Sequence, residues 1–300
     1  MRPALRAPSR APSRASCRNL LRALAIPGLA LLAAGAVQAR PLDEVVASGT
    51  LRVALYGDNA PFSEERGGRP RGIDVDLARA IAEKLGLRLD LRIVDAGENV
   101  DGDLRLNLWK GDLAGSPLAD LMLHVPHDRM LATRNEQIFL TIPYFDQHLA
   151  FAYRKGKVED LRAVGDIAGH LVAVEGTSAS DLQLLMAEGG RYRDALRHFR
   201  DFDAAARAFL AGETAILAGT RAGIEAALRA GGASPEENPV VEIAMPGLVK
   251  AQWELGGAVR TDSRDLAYAV GDAITALTAE GRLKAICETY GVGFTAPKGY

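Results

Sequence analysis

Residues 51–95 hold the stretch that most narrows what this chain can become. "LRVALYG" (51–57) alternates and favours β structure, so it reads as a strand. In "GIDVDLARAIAEKLGL" (72–87), Ile73, Leu77, Ala80, Ile81 and Leu85 recur at helical spacing, and Gly86 supplies the stop. "LRLDLRIVD" (87–95) reads as a second strand. Strand, helix and strand in that order make a β-α-β unit, which implies a parallel pair with a right-handed crossover. In open parallel α/β sheets the crevice beyond the carboxyl ends of the strands takes the ligand. Tyr56, Asp58, Asn59 and Phe62 leave the first strand at that edge and are candidate ligand residues.

The same pattern returns. "DIAGHLVAVEGTSASDLQLLMAEGG" gives a short helix, a strand over 171–174, a Gly-Thr-Ser turn and a helix. "RDFDAAARAFLAGETAILAGTRAGIEAALRAGG" gives a helix, an apolar strand over 215–218 and another helix. "NLWKGDL" reads as a helix, "ADLMLHV" as a buried strand, and "IPYFDQHLAFAYRKG" as a long strand leading from one unit to the other. "VVEIAMPG" and "WELGGAVR" return as strands, and two helices close the chain. One α/β pattern is used twice, joined near 145–155 and again near 243–257.

The first 39 residues stand apart. They carry six arginines and no acid, then an apolar run over 20–37 broken by Pro27 and Gly28, then Val37-Gln38-Ala39 with small residues at the cleavage positions. That is the pattern of a signal peptide, cut after Ala39, and the run is short for a membrane span. It holds no adjacent arginine pair, so a twin-arginine route is not indicated. The whole chain has 36 basic and 38 acidic residues, a net charge of −2; losing six arginines takes the mature chain to −8. Such an acidic protein suits neither nucleic acid nor anionic membrane surfaces. Cys17 leaves with the signal, and Cys287 then has no partner for a disulfide, so it reads as a small core residue.

Seven stretches stand in a telling order: "LRVALYGDNAPF", "GIDVDLARAIAEKLG", "ADLMLHVPHDR", "PYFDQHLAFAYRKG", "LVAVEGTSAS", "WELGGAVRTDSRDL" and "LTAEGRLKAICETYGV". In that order they resemble the bacterial extracellular solute-binding proteins of family 3, the periplasmic receptors for polar amino acids and related solutes. The resemblance covers nearly the whole mature chain. It implies an α/β fold of the type II, two-lobe periplasmic binding protein kind, with two hinge strands and an interlobe cleft. Residues 40–148 plus 246–300 then form lobe 1, residues 149–245 form lobe 2, and 1–39 are the signal peptide.

The resemblance also implies site residues. In amino-acid receptors of this family an arginine after the "AD…" strand grips the α-carboxylate through its planar fork. Arg129 in "VPHDR" is the nearest match, with Arg134 as the alternative, because the loop from Asp120 is shorter than the family's. Thr177 and Ser178 match the Gly-Thr turn that meets the same carboxylate at a helix N-terminus, a geometry an ordinary N-cap also uses. Gly219 and Thr220 stand where such receptors place an aspartate for the ligand ammonium. Without it a zwitterionic amino acid buries an unpaired ammonium, which points to a carboxylate-bearing or other polar solute. His124 replaces a small polar residue, Asn59 an aromatic, and Phe62 keeps its place; Asp74 reads as structural.

Three functions follow. The leading one is a periplasmic, monomeric receptor without cofactor or metal that delivers a small solute to an inner-membrane ABC permease. The second is an accessory protein of a periplasmic quinoprotein (methanol-type) dehydrogenase, a branch that "ADLMLHVP" resembles. The third is an enzyme like the cyclohexadienyl dehydratases, with His124, His127, Asp128 and Glu175 as titratable groups near a cleft. No nucleophile–base pair is recognisable from spacing, so no catalytic residue is assigned.

Overall fold

A computed structural model of the chain describes residues 40–245 and 250–298. The signal-peptide expectation lies on 1–39, outside the described residues. The chain opens with α1 (Leu42–Ser48) and β1 (Thr50–Tyr56), turns through β2 (Asp58–Asn59), β3 (Ser63–Arg66) and β4 (Arg69–Arg71), and enters α2 (Ile73–Lys84) and β5 (Arg88–Val94). Next come α3 (Val100–Leu104), which runs on as a π-helical turn to Trp109, then β6 (Leu121–Pro126), α4 (Arg129–Arg134), β7 (Ile138–Leu140) and β8 (Phe145–Tyr153). The middle of the chain forms β9 (Val172–Glu175), α5 (Ala179–Met186), β10 (Leu196–Phe199), α6 (Phe202–Leu210), β11 (Ile216–Thr220), α7 (Arg221–Ala230) and β12 (Val240–Val241). It closes with β13 (Gln252–Arg260), α8 (Arg264–Ala279) and α9 (Arg282–Thr289).

β1 and β5 pair in parallel over their whole length, from Thr50 opposite Arg88 to Tyr56 opposite Val94, as the β-α-β reading requires. The helix between them buries Ile73, Leu77, Ala80 and Ile81. Gly86 adopts a left-handed φ of 69°, the conformation glycine supplies most cheaply after a helix. The main sheet runs β10-β9-β11-β8-β13-β6-β1-β5. Its two ends are parallel triplets, β5-β1-β6 and β10-β9-β11, each with its own apolar clusters. Between them run β8 and β13, antiparallel to each other and to the triplets. Phe145, at the start of β8, packs in one core, while Phe151 and Tyr153, six and eight residues on, pack in the other. This is a two-lobe α/β fold of the type II binding-protein kind, with the lobes linked by strands.

Three elements escape a periodicity reading. Residues 58–71 form a small three-stranded sheet, turned at Gly67 and Gly68, both with positive φ. Arg129 heads a helix, α4, capped by Asp128, whose Oδ1 accepts from the Met130 and Leu131 amides. Of the described residues of "VVEIAMPG" only Val240 and Val241 pair, because Glu242 leaves the sheet to meet His148 and Arg221.

The loop after β1 is fastened to α2 by its own backbone. Pro61 O and Phe62 O accept the Ile73 and Asp74 amides at 3.0 and 2.7 Å. That approach leaves no room for a side chain at Gly72, where a Cβ would lie 2.2 Å from Phe62 O. α2 thus fixes the loop that reaches the cleft.

Candidate functional site

The carboxyl ends of β1, β9 and β11 converge on one cavity of about 590 Å³. Lobe 1 contributes Asp58, Asn59 and Ala60 from the turn after β1, and Glu64 and Glu65 from β3. The other side brings Glu175 from the end of β9, Ser178 at the start of α5, and the opening residues of α6 and α7. Leu149, on the crossing strand β8, lies between them. The Nδ2 of Asn59 is buried without a partner among the described residues, a donor that a ligand oxygen can satisfy.

The charge of the lining is one-sided. Carboxylates of Asp58, Glu64, Glu65, Glu175, Asp201 and Asp203 face only two cations, Arg200 and Arg207. Glu64 is paired with Arg71, and Asp201 with Arg200. Among the described residues, Asp58, Glu65, Glu175 and Asp203 make no salt bridge. Burial pushes the Glu175 carboxyl up, and the negative charges of Asp201, Asp58 and Asp203 push it further. Three helices also start here, and each N-terminus carries roughly half a positive charge. Their own caps use those donors: Asp181 N bonds Ser178 Oγ, Ala204 N bonds Asp201 Oδ1, and Gly223 N bonds Thr220 Oγ1. The Thr177 amide, where the resemblance places a ligand carboxylate, is held by Asp181 Oδ2 at 2.8 Å. Four unpaired carboxylates outweigh these partial charges, so the cavity favours a cation.

The glycine that stands in place of an aspartate has a physical cause. A Cβ at Gly219 would lie 2.4 Å from Phe202 Cε2, and one at Gly223 would lie 3.2 Å from Phe202 Cε1. The ring fills the room an aspartate needs and walls the cavity instead. Phe202, Asp201 and Asp203 are the residues that sequence reasoning missed. Gly219→Asp is expected to destabilise the protein by about 1–3 kcal/mol through overpacking. Urea unfolding measures it, and Phe202→Ala in the same chain should return part of the loss.

Residues 51–105 match the model of the bacterial extracellular solute-binding proteins, family 3. The chain is 24% identical over 254 residues to the L-cystine-binding protein TcyJ of Escherichia coli K12, covering 83% of this chain and 85% of that protein. Its fold superposes on an ancestral cationic amino acid solute-binding protein with a TM-score of 0.65, at 19% identity over 83% of this chain and 98% of the other. Residues 51–105 carry the pattern of that family, and the fold is that of the solute-binding proteins. A second solved structure, a Streptococcus pneumoniae amino acid ABC transporter substrate-binding protein bound to L-arginine, matches this chain with a TM-score of 0.58. The identity there is 21%, over 85% of this chain and 98% of that one. The cyclohexadienyl dehydratase of Pseudomonas aeruginosa is 50% identical over 78 residues, which span 25% of this chain and 28% of that enzyme.

The fold brings five of the sequence-predicted residues to the cavity wall: Asp58, Asn59, Ser178, Gly219 and Thr220. Tyr56, Phe62, His124, Arg129 and Thr177 are not among the lining residues. The Tyr56 hydroxyl donates to Asp103 Oδ2 within lobe 1. Phe62 is core, 1% exposed, with its ring edge-on to His124 and Phe145. His124 sits at a bulge in β6 with a φ of 62°, and its Nδ1 meets the buried Asp74 at 2.9 Å. Arg129 is exposed on α4, and Arg134 is engaged by Asp101. Cys287 is buried, its thiol pushed up to about 12 by burial first and by Asp74 second. Among the described residues no cluster of three or more histidines, cysteines or carboxylates is placed to hold a metal ion.

Proposed function

We propose that this protein is a receptor that closes its lobes on a small cationic solute and hands it to an ABC-type permease. Residues 40–148 with 246–300 form one jaw and 149–245 the other. The protein works as a monomer in the periplasm after losing residues 1–39. The observation that carries the reading is the set of unpaired carboxylates around Glu175 in a cavity lined from both lobes. Gly219 alone argued against an ammonium. In the folded chain Asp58, Asp203 and Glu175 supply the countercharge from other segments, so a carboxylate-only solute is disfavoured. The ligands of two structural relatives, cationic amino acids and L-arginine, support the same charge class. The full-length relatives are binding proteins; neither the dehydrogenase-accessory nor the dehydratase reading gains support from them.

The test is a thermal-shift screen of the mature protein against arginine, lysine, agmatine and putrescine beside dicarboxylates, sugars and polyols. Ligand at a hundred times its Kd adds about 2.7 kcal/mol of stability. A saturable shift with one or more cations and none with dicarboxylates is the expected result. Shifts confined to anions would overturn the reading.

A further inference from the structure

The cleft does not end at the acidic cavity. A second cavity of about 610 Å³ shares Ala60, Glu64, Phe202, Asp203 and Gly223 with the first, so the two lie side by side along the Phe202 wall. Each alone is in the size range of a small-ligand pocket. The second is mixed in charge: beside Glu64 and Asp203 it adds three arginines. Arg66 and Arg71 rise from the small sheet, and Arg229 stands near the end of α7. Arg66 and Arg71 share the single carboxylate of Glu64, at 3.6 and 2.8 Å. Arg229 makes no salt bridge among the described residues. Between these cations the wall is Gly223, Ala226, Ala227 and Ala230, side chains too small to fill the space.

α7 is the ruler. It starts after Thr220 in the acidic cavity, and Arg229 lies nine residues further along in the basic one. At 1.5 Å per residue that is about 13 Å. An extended peptide covers about 3.3–3.6 Å per residue, so three residues plus a basic side chain span the distance. We infer that the cleft takes an elongate dipolar solute, a peptide of about three residues with a basic N-terminal residue. Its cationic end lies among Asp58, Glu175 and Asp203, and its terminal carboxylate meets Arg229. This rests on the cation-receptor reading above and adds to it the length and the anionic end of the ligand. The guanidinium fork suits a carboxylate, whereas an amide there forfeits the charge-assisted pair.

Calorimetry on the mature protein with arginine, agmatine, Arg-Gly-Gly and Arg-Gly-Gly amide tests it. Arg-Gly-Gly is expected to bind at least about tenfold more tightly than either its amide or free arginine, a difference of about 1.4 kcal/mol. Arg229→Gln, an exposed substitution, should erase the acid-over-amide difference and leave the amide unchanged. Equal binding of acid and amide, or of arginine and tripeptide, overturns the elongate-ligand inference while leaving the cation receptor standing. If none of the four binds, the inference is overturned, and the cation-receptor reading stands or falls on lysine and putrescine in the thermal-shift screen.

Discussion

Glu175→Gln is expected to cut the affinity of the cleft for its cation at least about thirtyfold, while making the empty protein more stable. Removing one side of a buried charged pair costs about 2–5 kcal/mol of binding. Glu175 is half-buried beside three other carboxylates, so the lower end of that range applies. The unliganded carboxyl is held above its ordinary range by burial and by Asp201, Asp58 and Asp203. An acid whose folded-state value is raised binds more protons folded than unfolded, so stability falls as pH rises through that value. Above that value the charged group therefore strains the empty cleft, and the neutral glutamine relieves it. A bound cation reverses the balance by favouring the ionised form. Affinity for the cation should thus decline as pH falls through the raised value, because binding must then expel a proton. In the glutamine variant that limb of the pH profile flattens. Titration calorimetry in buffers of different ionisation heat reads the released proton directly. Unchanged affinity and an unchanged pH profile in the variant would remove Glu175 from the site.

Asp74→Ala should be the most damaging single change to the fold, with a loss of about 3–5 kcal/mol. For a protein of this size that lowers Tm by roughly 10 °C. The Asp74 carboxyl is fully buried and accepts from Tyr144 Oη at 2.6 Å while His124 Nδ1 lies 2.9 Å away. Burial, and then the charge of Asp74, holds the Tyr144 hydroxyl protonated, so it remains a donor with nowhere else to turn. Alanine orphans both partners at once, and the bulge that aims His124 inward loses its anchor. Tyr144→Phe removes one donor and leaves Asp74 with His124, so it should cost about 1–2 kcal/mol. Urea unfolding of both variants checks the ranking, and a loss below that of Tyr144→Phe would show that the network is not held by its carboxylate.

The fold was legible because its elements announce themselves locally. Ile73 to Leu85 keep helical spacing, Gly86 stops the helix, and flanking strands force a parallel pair. The small sheet at 58–71 had a signal that went unused: two glycines between Arg66 and Arg69 permit the positive φ values of a tight hairpin turn. α4 also had one, since Asp128 is a good N-cap, but it lay in a segment read as a ligand loop. The cavity was less accessible for a different reason. Asp58, Glu175 and Asp203 are separated by 117 and 28 residues in sequence, and only the folded chain sets them around one space. Family position pointed at Gly219, where Phe202 has taken the room. The carboxylates that line the cavity come from other segments.

The way the two cores divide the chain sets an order of assembly. The core containing Phe151, Val172 and Ile216 draws on one continuous stretch, 151–245. The core that begins with Val45 and Leu51 is completed only by Leu266, Ile274, Leu283 and Val292. During synthesis the segment around Val45 and Leu51 therefore waits, with apolar surface uncovered, until Leu266 to Val292 arrive, while the interior segment can collapse alone. Long-range closure of this kind is slow and exposes the chain to aggregation. A holding chaperone has most to do here on the N-terminal third, although that third is made first.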